Sequence, residues 1–223
     1  MCESTMPARM LPARLASDFG AICTAYHRFT PQEDLVGLDA TSLNAAVASH
    51  VNLADVRAPS EVKVRVFTPH VSLDGWQSRH SVVHVVMDDM PFIVDSLTNL
   101  ISKKLRGAFR IVHPIMHVER NAQGELTAAS AQKTEKSHPE SWCEFEVNRL
   151  LTPSAHDELM NDVMSVLNDV TAVNADWHSM KSQCEKLAQV WTNSSDEELK
   201  EAADFLAWIA DNHLTFLGYR YYA

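Results

Sequence analysis

The chain of 223 residues carries 19 basic and 29 acidic side chains, which gives a formal net charge of −10. Nucleic acids and anionic membrane surfaces attract clusters of Lys and Arg, so this charge argues against both as partners. Apolar residues make up 46% and charged residues 22%, as in ordinary soluble globular proteins. A chain of this length buries enough surface to form a core without disulfides or structural metals.

The cysteines and the hydropathy indicate a cytoplasmic protein. Cys2, Cys23, Cys143 and Cys184 are far apart and form no CxxC pair, which favours reduced thiols and gives zinc no compact ligand set. No apolar run approaches the roughly 20 residues of a membrane span. The N-terminus lacks the apolar segment of a signal peptide.

The first third of the chain predicts two helices followed by a strand. Residues 10–28 and 41–56 have apolar residues at helical spacing, and a break follows at 57–60. Residues 61–67 alternate, with valines on one face and charged residues on the other, which is typical of a half-buried strand.

The most informative stretch, residues 82–105, predicts a strand, a tight turn and a helix. An apolar run ends at Asp88 and Asp89, either of which could cap the helix that we expect to begin near Pro91 and to end at Gly107. The free N–H groups of a helix N-terminus also attract anions. The turn is therefore the candidate effector-binding or interface site; it comprises Asp88, Asp89, Met90, Pro91, Phe92 and Asp95.

The remaining pattern predicts further strands and helices. Residues 109–119 form a strand that Pro114 interrupts, residues 127–140 form a mobile loop, and residues 142–150 return as a strand. In that last strand we expect Cys143, Phe145 and Val147 to face inward, and Glu144, Glu146 and Asn148 to face solvent. A helix opens at Thr152-Pro153, helices continue after Trp177 with a capping box from Ser195 to Glu198, and residues 214–222 predict a strand.

These elements predict an α+β fold with an antiparallel sheet of about four strands and helices packed on one face, plus further helices at both ends. We divide the chain into an N-terminal helical segment (1–60), an α+β domain (61–176), and a helical segment that leads into the start of a next domain (177–223).

Three blocks of sequence resemble the N-terminal region of the large bacterial NAD-dependent glutamate dehydrogenases. They are residues 89–96 with His113-Pro114-Ile115 downstream, residues 140–149, and residues 208–220. The resemblance implies a much longer parent polypeptide that oxidises L-glutamate with NAD, and whose catalytic domain lies beyond residue 223. It also implies an ACT-like, ferredoxin-like fold, in which the 89–95 turn is similar to the loop that binds small amino acids.

One departure from the ACT pattern concerns the sheet. An ACT module takes its fourth strand from after its second helix, whereas here the residues after Trp177 favour helix and the spare strand is 62–67, upstream. We therefore expect an ACT-like sheet that is completed from its N-terminal side.

Other candidate chemistry is weaker. His80, His84, His113 and His117 suggest a metal, but His113 and His117 would lie about 13 Å apart on a strand, so we interpret all four as structural or surface residues. Glu144 and Glu146 are interpreted as a solvated face rather than as paired catalytic carboxylates. Glycine-rich phosphate-binding loops and a GxSxG motif are absent from the sequence.

The leading hypothesis is a non-catalytic regulatory and assembly region of such a dehydrogenase, without catalytic residues, cofactor site or metal of its own; NAD belongs to the parent. The expected partners are downstream segments of the same chain, other subunits of a homo-oligomer and a small amino-acid effector. The alternatives are a free-standing amino-acid sensor and, last, a small hydrolase that uses histidine and carboxylate.

Overall fold

The computed structural model describes residues 11–36 and 39–220. After a short 3₁₀ turn (Ala13–Leu15), the helices are α1 (Phe19–Tyr26), α2 (Gln32–Leu35), α3 (Ala40–Ala54), α4 (Val71–Asp74), α5 (Ile93–Leu105), α6 (Pro153–Thr192) and α7 (Glu197–Trp208), which a π-helical turn (Ile209–His213) follows. The strands are β1 (Lys63–Phe67), β2 (Ser81–Asp88), β3 (Ala108–Val112), β4 (Ile115–Arg120), β5 (Leu126–Ser130) and β6 (His138–Val147).

The six strands form one antiparallel sheet in the order β1-β2-β6-β4-β5, with β3 also paired to β6. The long strand β6 pairs with β2 along one side and with β3 and then β4 along the other. The predicted strand 109–119 is thus two strands that separate at Pro114, which cannot donate to a ladder. Its carbonyl still accepts a hydrogen bond from the backbone of Trp142, at 3.1 Å.

The structure confirms the predicted α+β, ACT-like fold class and adds two strands to the expected four. Strand β1 pairs antiparallel with β2, from Lys63 opposite Val86 to Phe67 opposite Val82. The sheet is therefore completed from its N-terminal side, as the alternating valines predicted.

The sheet is covered on both faces rather than on one. Every residue of β2 from Ser81 to Met87 is buried, and successive side chains of a strand point to opposite faces. On one face Val86 and Trp142 pack with α1 and α3, through residues such as Ile22 and Val51. Helix α5 contacts β3 and β6, and Lys104 of α5 donates to Glu158 in the first part of α6, at 2.9 Å.

Four local predictions are corrected. Residues 127–140 are not a single loop, because β5 pairs with β4 and β6 begins at His138. Residues 214–220 form no strand, because a strand needs a hydrogen-bonded neighbour, and residues 221–222 lie outside the described part. The side-chain cap of α7 is Asp196 rather than Ser195. Helix α5 starts at Ile93 without a side-chain cap.

The chain divides into two compact units, 1–167 and 168–223. The first contains the sheet. The second contains the later part of α6, α7 and the π-helical turn, and its buried residues include Met180, Cys184, Ala188, Ala203 and Ala210. Within the part of the chain that the structure describes, no helix has the length and apolar character needed to cross a membrane.

Candidate functional site

The predicted turn is held to the sheet by its two aspartates. Asp88, the last residue of β2, accepts a hydrogen bond from Arg57. The Asp89 backbone N–H donates to the Pro139 carbonyl at 3.2 Å, and its carboxylate accepts from the Ser141 hydroxyl at 2.6 Å. Neither carboxylate caps α5, so the capping prediction is wrong for both.

The rest of the turn leads into the helix with an unusual backbone. Phe92 takes the N-cap position in the left-handed conformation, with φ of 75°, which costs an L-residue roughly 1–2 kcal/mol. Met90 is half-buried and Pro91 is exposed. Asp95 is exposed in the first turn of α5, where a negative charge complements the helix dipole.

Behind the turn, two arginines hold one buried carboxylate. Arg57 Nη1 donates to Glu140 Oε1 at 2.7 Å, and Arg120 donates to both oxygens of Glu140 at 2.8 and 3.0 Å. Burial acts to raise the pKa of Glu140, but hydrogen bonds and charge from Arg120, with the charge of Arg57, outweigh it and lower that pKa. Glu140 therefore stays ionised and ties β6 to β4 and to the segment before β1.

Gly124 allows the β4–β5 turn to approach this arginine closely. It has φ of 79°, and a Cβ on it would lie 2.4 Å from the Arg57 carbonyl oxygen. The Arg57 N–H donates to the Gly124 carbonyl at 3.0 Å. A pocket of about 440 Å³ opens here and is lined in part by Arg57, Asp88, Arg120 and His138.

A second buried cluster lies on the face of the sheet beneath α1 and α3. Glu144 of β6 accepts hydrogen bonds from His84 Nε2 at 3.0 Å and from Arg110 Nη2 at 2.9 Å. The ring of His84 stacks on His50, with centroids 4.1 Å apart and planes within 4° of parallel. The Tyr26 hydroxyl lies 2.7 Å from His50 Nδ1 and 3.2 Å from Glu144 Oε2.

Proton positions in this cluster follow from its partners. The Val85 carbonyl can only accept, so His50 Nε2, 3.1 Å away, carries a proton. Burial, and next the charge of His84, lower the pKa of His50 well below 6.5, so its Nδ1 is an acceptor for Tyr26. Burial and Glu144 raise the pKa of Tyr26, which keeps that hydroxyl protonated.

Glu144 is the charged centre of this cluster. Burial acts to raise its pKa, but the hydrogen bond and charge of His84, with the charge of Arg110, lower it to about 2. The prediction that Glu144 and Glu146 form a solvated face is wrong. Glu144 is buried and Glu146 is largely covered, because the N-terminal helices pack on the face that was expected to meet solvent.

One nitrogen each of His50 and His84 and one oxygen of Glu144 lie within 4.8 Å of one another, close enough to suggest a metal. The geometry of these three side chains does not fit a metal ion. A metal lies near the plane of each imidazole that binds it, and the two rings lie in stacked parallel planes, so one ion cannot lie in both. Both nitrogens of His50 and the Nε2 of His84 are also already paired, with Val85, Tyr26 and Glu144.

His113, Ser141 and Asp89 lie close together but do not form the catalytic triad that the hydrolase alternative needs. His113 Nε2 lies 3.2 Å from the Ser141 hydroxyl, which itself donates to Asp89. The serine thus stands between the acid and the histidine, whereas a nucleophilic serine needs histidine between itself and the acid. Burial lowers the pKa of His113.

Sequence reasoning found some of these residues and missed others. It named Asp88 and Asp89 and flagged His84 and Glu144, but for separate reasons and not as partners. It missed His50, Tyr26, Arg57 and Arg110. Only Arg57 carried a local signal, since it lies in the predicted break at 57–60 that precedes the strand at 61–67.

The sheet with α5 and α6 beside it defines an ACT-like α+β module. The family model described as "Glutamate dehydrogenase, ACT1 domain" matches residues 22–163, and the chain belongs to this family. It is 32% identical over 164 residues to the NAD-specific glutamate dehydrogenase of Pseudomonas aeruginosa, a match that covers 70% of the chain and 10% of that protein. It is 29% identical over 223 residues to the enzyme of the same name from Halomonas elongata, covering 95% of the chain and 14% of that protein. The matches thus span only about a tenth to a seventh of these relatives.

Proposed function

We propose that this chain is the regulatory and assembly region of a longer NAD-dependent glutamate dehydrogenase, and that it is not itself catalytic. The parent converts L-glutamate, NAD and water to 2-oxoglutarate, ammonia and NADH. This proposal rests on the family match over residues 22–163 and on the two relatives that are named NAD-specific glutamate dehydrogenase. NAD and the catalytic residues then belong to other parts of the parent.

The buried charges support a structural role for the sheet. Glu140 is held ionised by Arg120 and Arg57, and Glu144 by His84 and Arg110. Catalytic carboxylates and histidines have to reach a substrate, whereas Glu140, Glu144, His50 and His84 are each at most 2% exposed. Such a network fixes the register of β6 against its neighbours.

The second unit supports an assembly role. Phe205 and Trp208 stack at 6.1 Å on α7, yet they are 59% and 51% exposed. Leu217 and Tyr219 are also mostly exposed. Exposed apolar patches mark interaction surfaces. The occupant that we propose is another segment of the longer dehydrogenase chain, since both relatives are about seven times as long as this chain.

A pair of assays tests the proposal. The purified 223-residue chain should show no turnover of L-glutamate with NAD, with the full-length dehydrogenase as the positive control. When co-expressed with the remainder of the dehydrogenase, the chain should co-purify with it, and the double variant Phe205→Ser, Trp208→Ser should weaken that association at least tenfold.

A matched control is Leu151→Ser, which removes a leucine that is 84% exposed in the first unit and should leave association unchanged. Turnover by the chain alone contradicts the non-catalytic role. A chain that fails to associate supports the second candidate, a free-standing amino-acid-sensing module.

A further inference from the structure

Helix α7 of the second unit has apolar side chains on two opposite sides. On the covered side, Ala203 is buried and Leu199 and Leu206 are half-buried. On the other side, Phe205 and Trp208 stack on each other with ring planes 15° apart, although both are more than half exposed. An amphipathic helix ordinarily carries polar residues on its outer side, so this aromatic pair needs an explanation outside the packing of the helix itself.

Carboxylates lie on the same side of α7 as the aromatic pair. Glu197, Glu201 and Asp204 are exposed there, because residues three, four or seven positions apart share a helix face. Glu197 is paired with Lys200 at 2.6 Å. Glu201 and Asp204 have neither an ion pair nor a side-chain hydrogen bond among the residues that the structure describes.

We call Glu201, Asp204, Phe205 and Trp208 together the acidic–aromatic face, and its chemistry limits what can cover it. A purely apolar partner would take the two carboxylates out of water without a compensating charge, which is costly. An acidic partner would be repelled. The partner therefore needs positive charge beside apolar side chains. Arginine suits both needs, since a guanidinium stacks on aromatic rings and donates two parallel hydrogen bonds to a carboxylate.

The shape of the face favours a helix as the partner. The backbone groups within α7 are hydrogen-bonded inside the helix, so a strand could not add to it as it would to a sheet edge. The 12 residues of α7 extend over about 18 Å, and a second helix that packs along this length contacts the whole stripe of exposed side chains.

We propose that the acidic–aromatic face binds an amphipathic helix whose apolar stripe is flanked by arginines, and that another segment of the longer dehydrogenase chain supplies this helix. Only the second part, the source of the helix, rests on the proposed function. The required charge of the partner follows from α7 itself.

Two synthetic helical peptides of about five turns test the required charge. Both have the same stripe of leucines, which arginines flank in one peptide and glutamates in the other. Fluorescence anisotropy of the labelled peptides measures their binding to the whole 223-residue chain. At physiological ionic strength the arginine peptide should bind at least tenfold more tightly than the glutamate peptide.

A charge reversal on α7 locates the binding. The double variant Glu201→Lys, Asp204→Lys should weaken binding of the arginine peptide at least tenfold and should strengthen binding of the glutamate peptide. A damaged fold could cause the loss but not the gain.

The matched control separates this face from the overall negative charge of the chain. The double variant Glu33→Lys, Asp34→Lys changes the net charge by the same amount at two exposed residues of α2, in the first unit. It should alter the affinity for either peptide by no more than about twofold, because exposed charges that are far apart are screened by salt.

Three results overturn the proposal. They are equal affinities for the two peptides, an equal loss of arginine-peptide binding in the α2 and α7 double variants, and no binding of the arginine peptide up to about 1 mM.

Co-purification with the remainder of the dehydrogenase distinguishes this inference from the proposed function. If the chain co-purifies equally well with and without the charge reversal at Glu201 and Asp204, the inference fails and the proposed function holds. If the arginine peptide binds but the chain does not co-purify, the charge chemistry of the face holds, and its assignment to the dehydrogenase fails together with the proposed function.

Discussion

At the scale of single residues, the side chain of Arg57 connects several parts of the fold. Its side chain is 1% exposed, and it donates to Glu140, to Asp88 and, at 2.8 Å, to the Glu61 carbonyl. This guanidinium therefore joins residues 57–61 to the end of β2 and to β6, both of which are distant from it in sequence. The planar fork of arginine suits this arrangement better than a lysine would.

Arg57→Met should lower the free energy of unfolding by about 3–5 kcal/mol, because it leaves Glu140 buried with one arginine fewer. Urea denaturation at pH 7.5 measures this. The matched control is Lys104→Met, which removes a surface ion pair with Glu158 and Asp162 and should cost no more than about 1 kcal/mol. Equal losses in the two variants would contradict the role assigned to Arg57.

The stacked histidines predict a loss of stability in mild acid. The pKa of His50 is below 6.5 in the folded chain, so below pH 6.5 the unfolded chain binds a proton that the folded chain does not. Stability is therefore full above pH 6.5 and falls below it, by up to about 1.4 kcal/mol per pH unit for one such group. Glu144, whose pKa is lowered from 4.5 to about 2, adds a further loss of stability as the pH falls from 4.5 to about 2.

Urea midpoints at pH 7.5 and 5.5 check this direction. His50→Gln keeps one donor and one acceptor but removes the titration, so the difference in unfolding free energy between the two pH values should shrink by about 1 kcal/mol. The pH 7.5 measurement on the same variant accounts for lost packing. An unchanged pH difference would show that His50 is not the group responsible.

At the scale of elements, the sequence predicted those strands that have a clear local pattern of residues. The alternating valines before Phe67 gave β1, and Pro114 marked the separation of β3 from β4. Strand β5 was missed because its short LTAAS sequence shows no clear alternation. The burial of Glu144 was also missed, since a strand's own residues do not reveal whether a helix from another part of the chain covers its second face.

The end of α5 offers a test at this scale. The sequence placed the helix end at Gly107, but the left-handed C-cap is Arg106, with φ of 64° and an exposed side chain. Arg106→Gly removes the strain of an L-residue there and should stabilise the protein by about 0.5–1 kcal/mol. Arg106→Val, which is β-branched, should destabilise it. Thermal melting of both variants measures the effect, and equal melting temperatures would contradict it.

At the scale of the whole molecule, the sheet and both buried charge clusters lie within residues 1–167. The first part of α6 contributes Leu159, Val163 and Leu167 as buried residues. That unit therefore has its own core, as an independently folding domain requires. The second unit has few buried residues, three of which are alanines.

Truncation after Leu167 should consequently leave a cooperatively folding protein whose melting temperature lies within a few degrees of that of the whole chain. Residues 168–223 alone should be largely unfolded, because helices that bury little apolar surface are marginal in water. Circular dichroism melts of the two pieces and of the whole chain measure this. If 1–167 lost its cooperative transition while the whole chain kept it, the second unit would be part of the folding unit. The exposed apolar residues of α7 could not then be assigned to assembly alone.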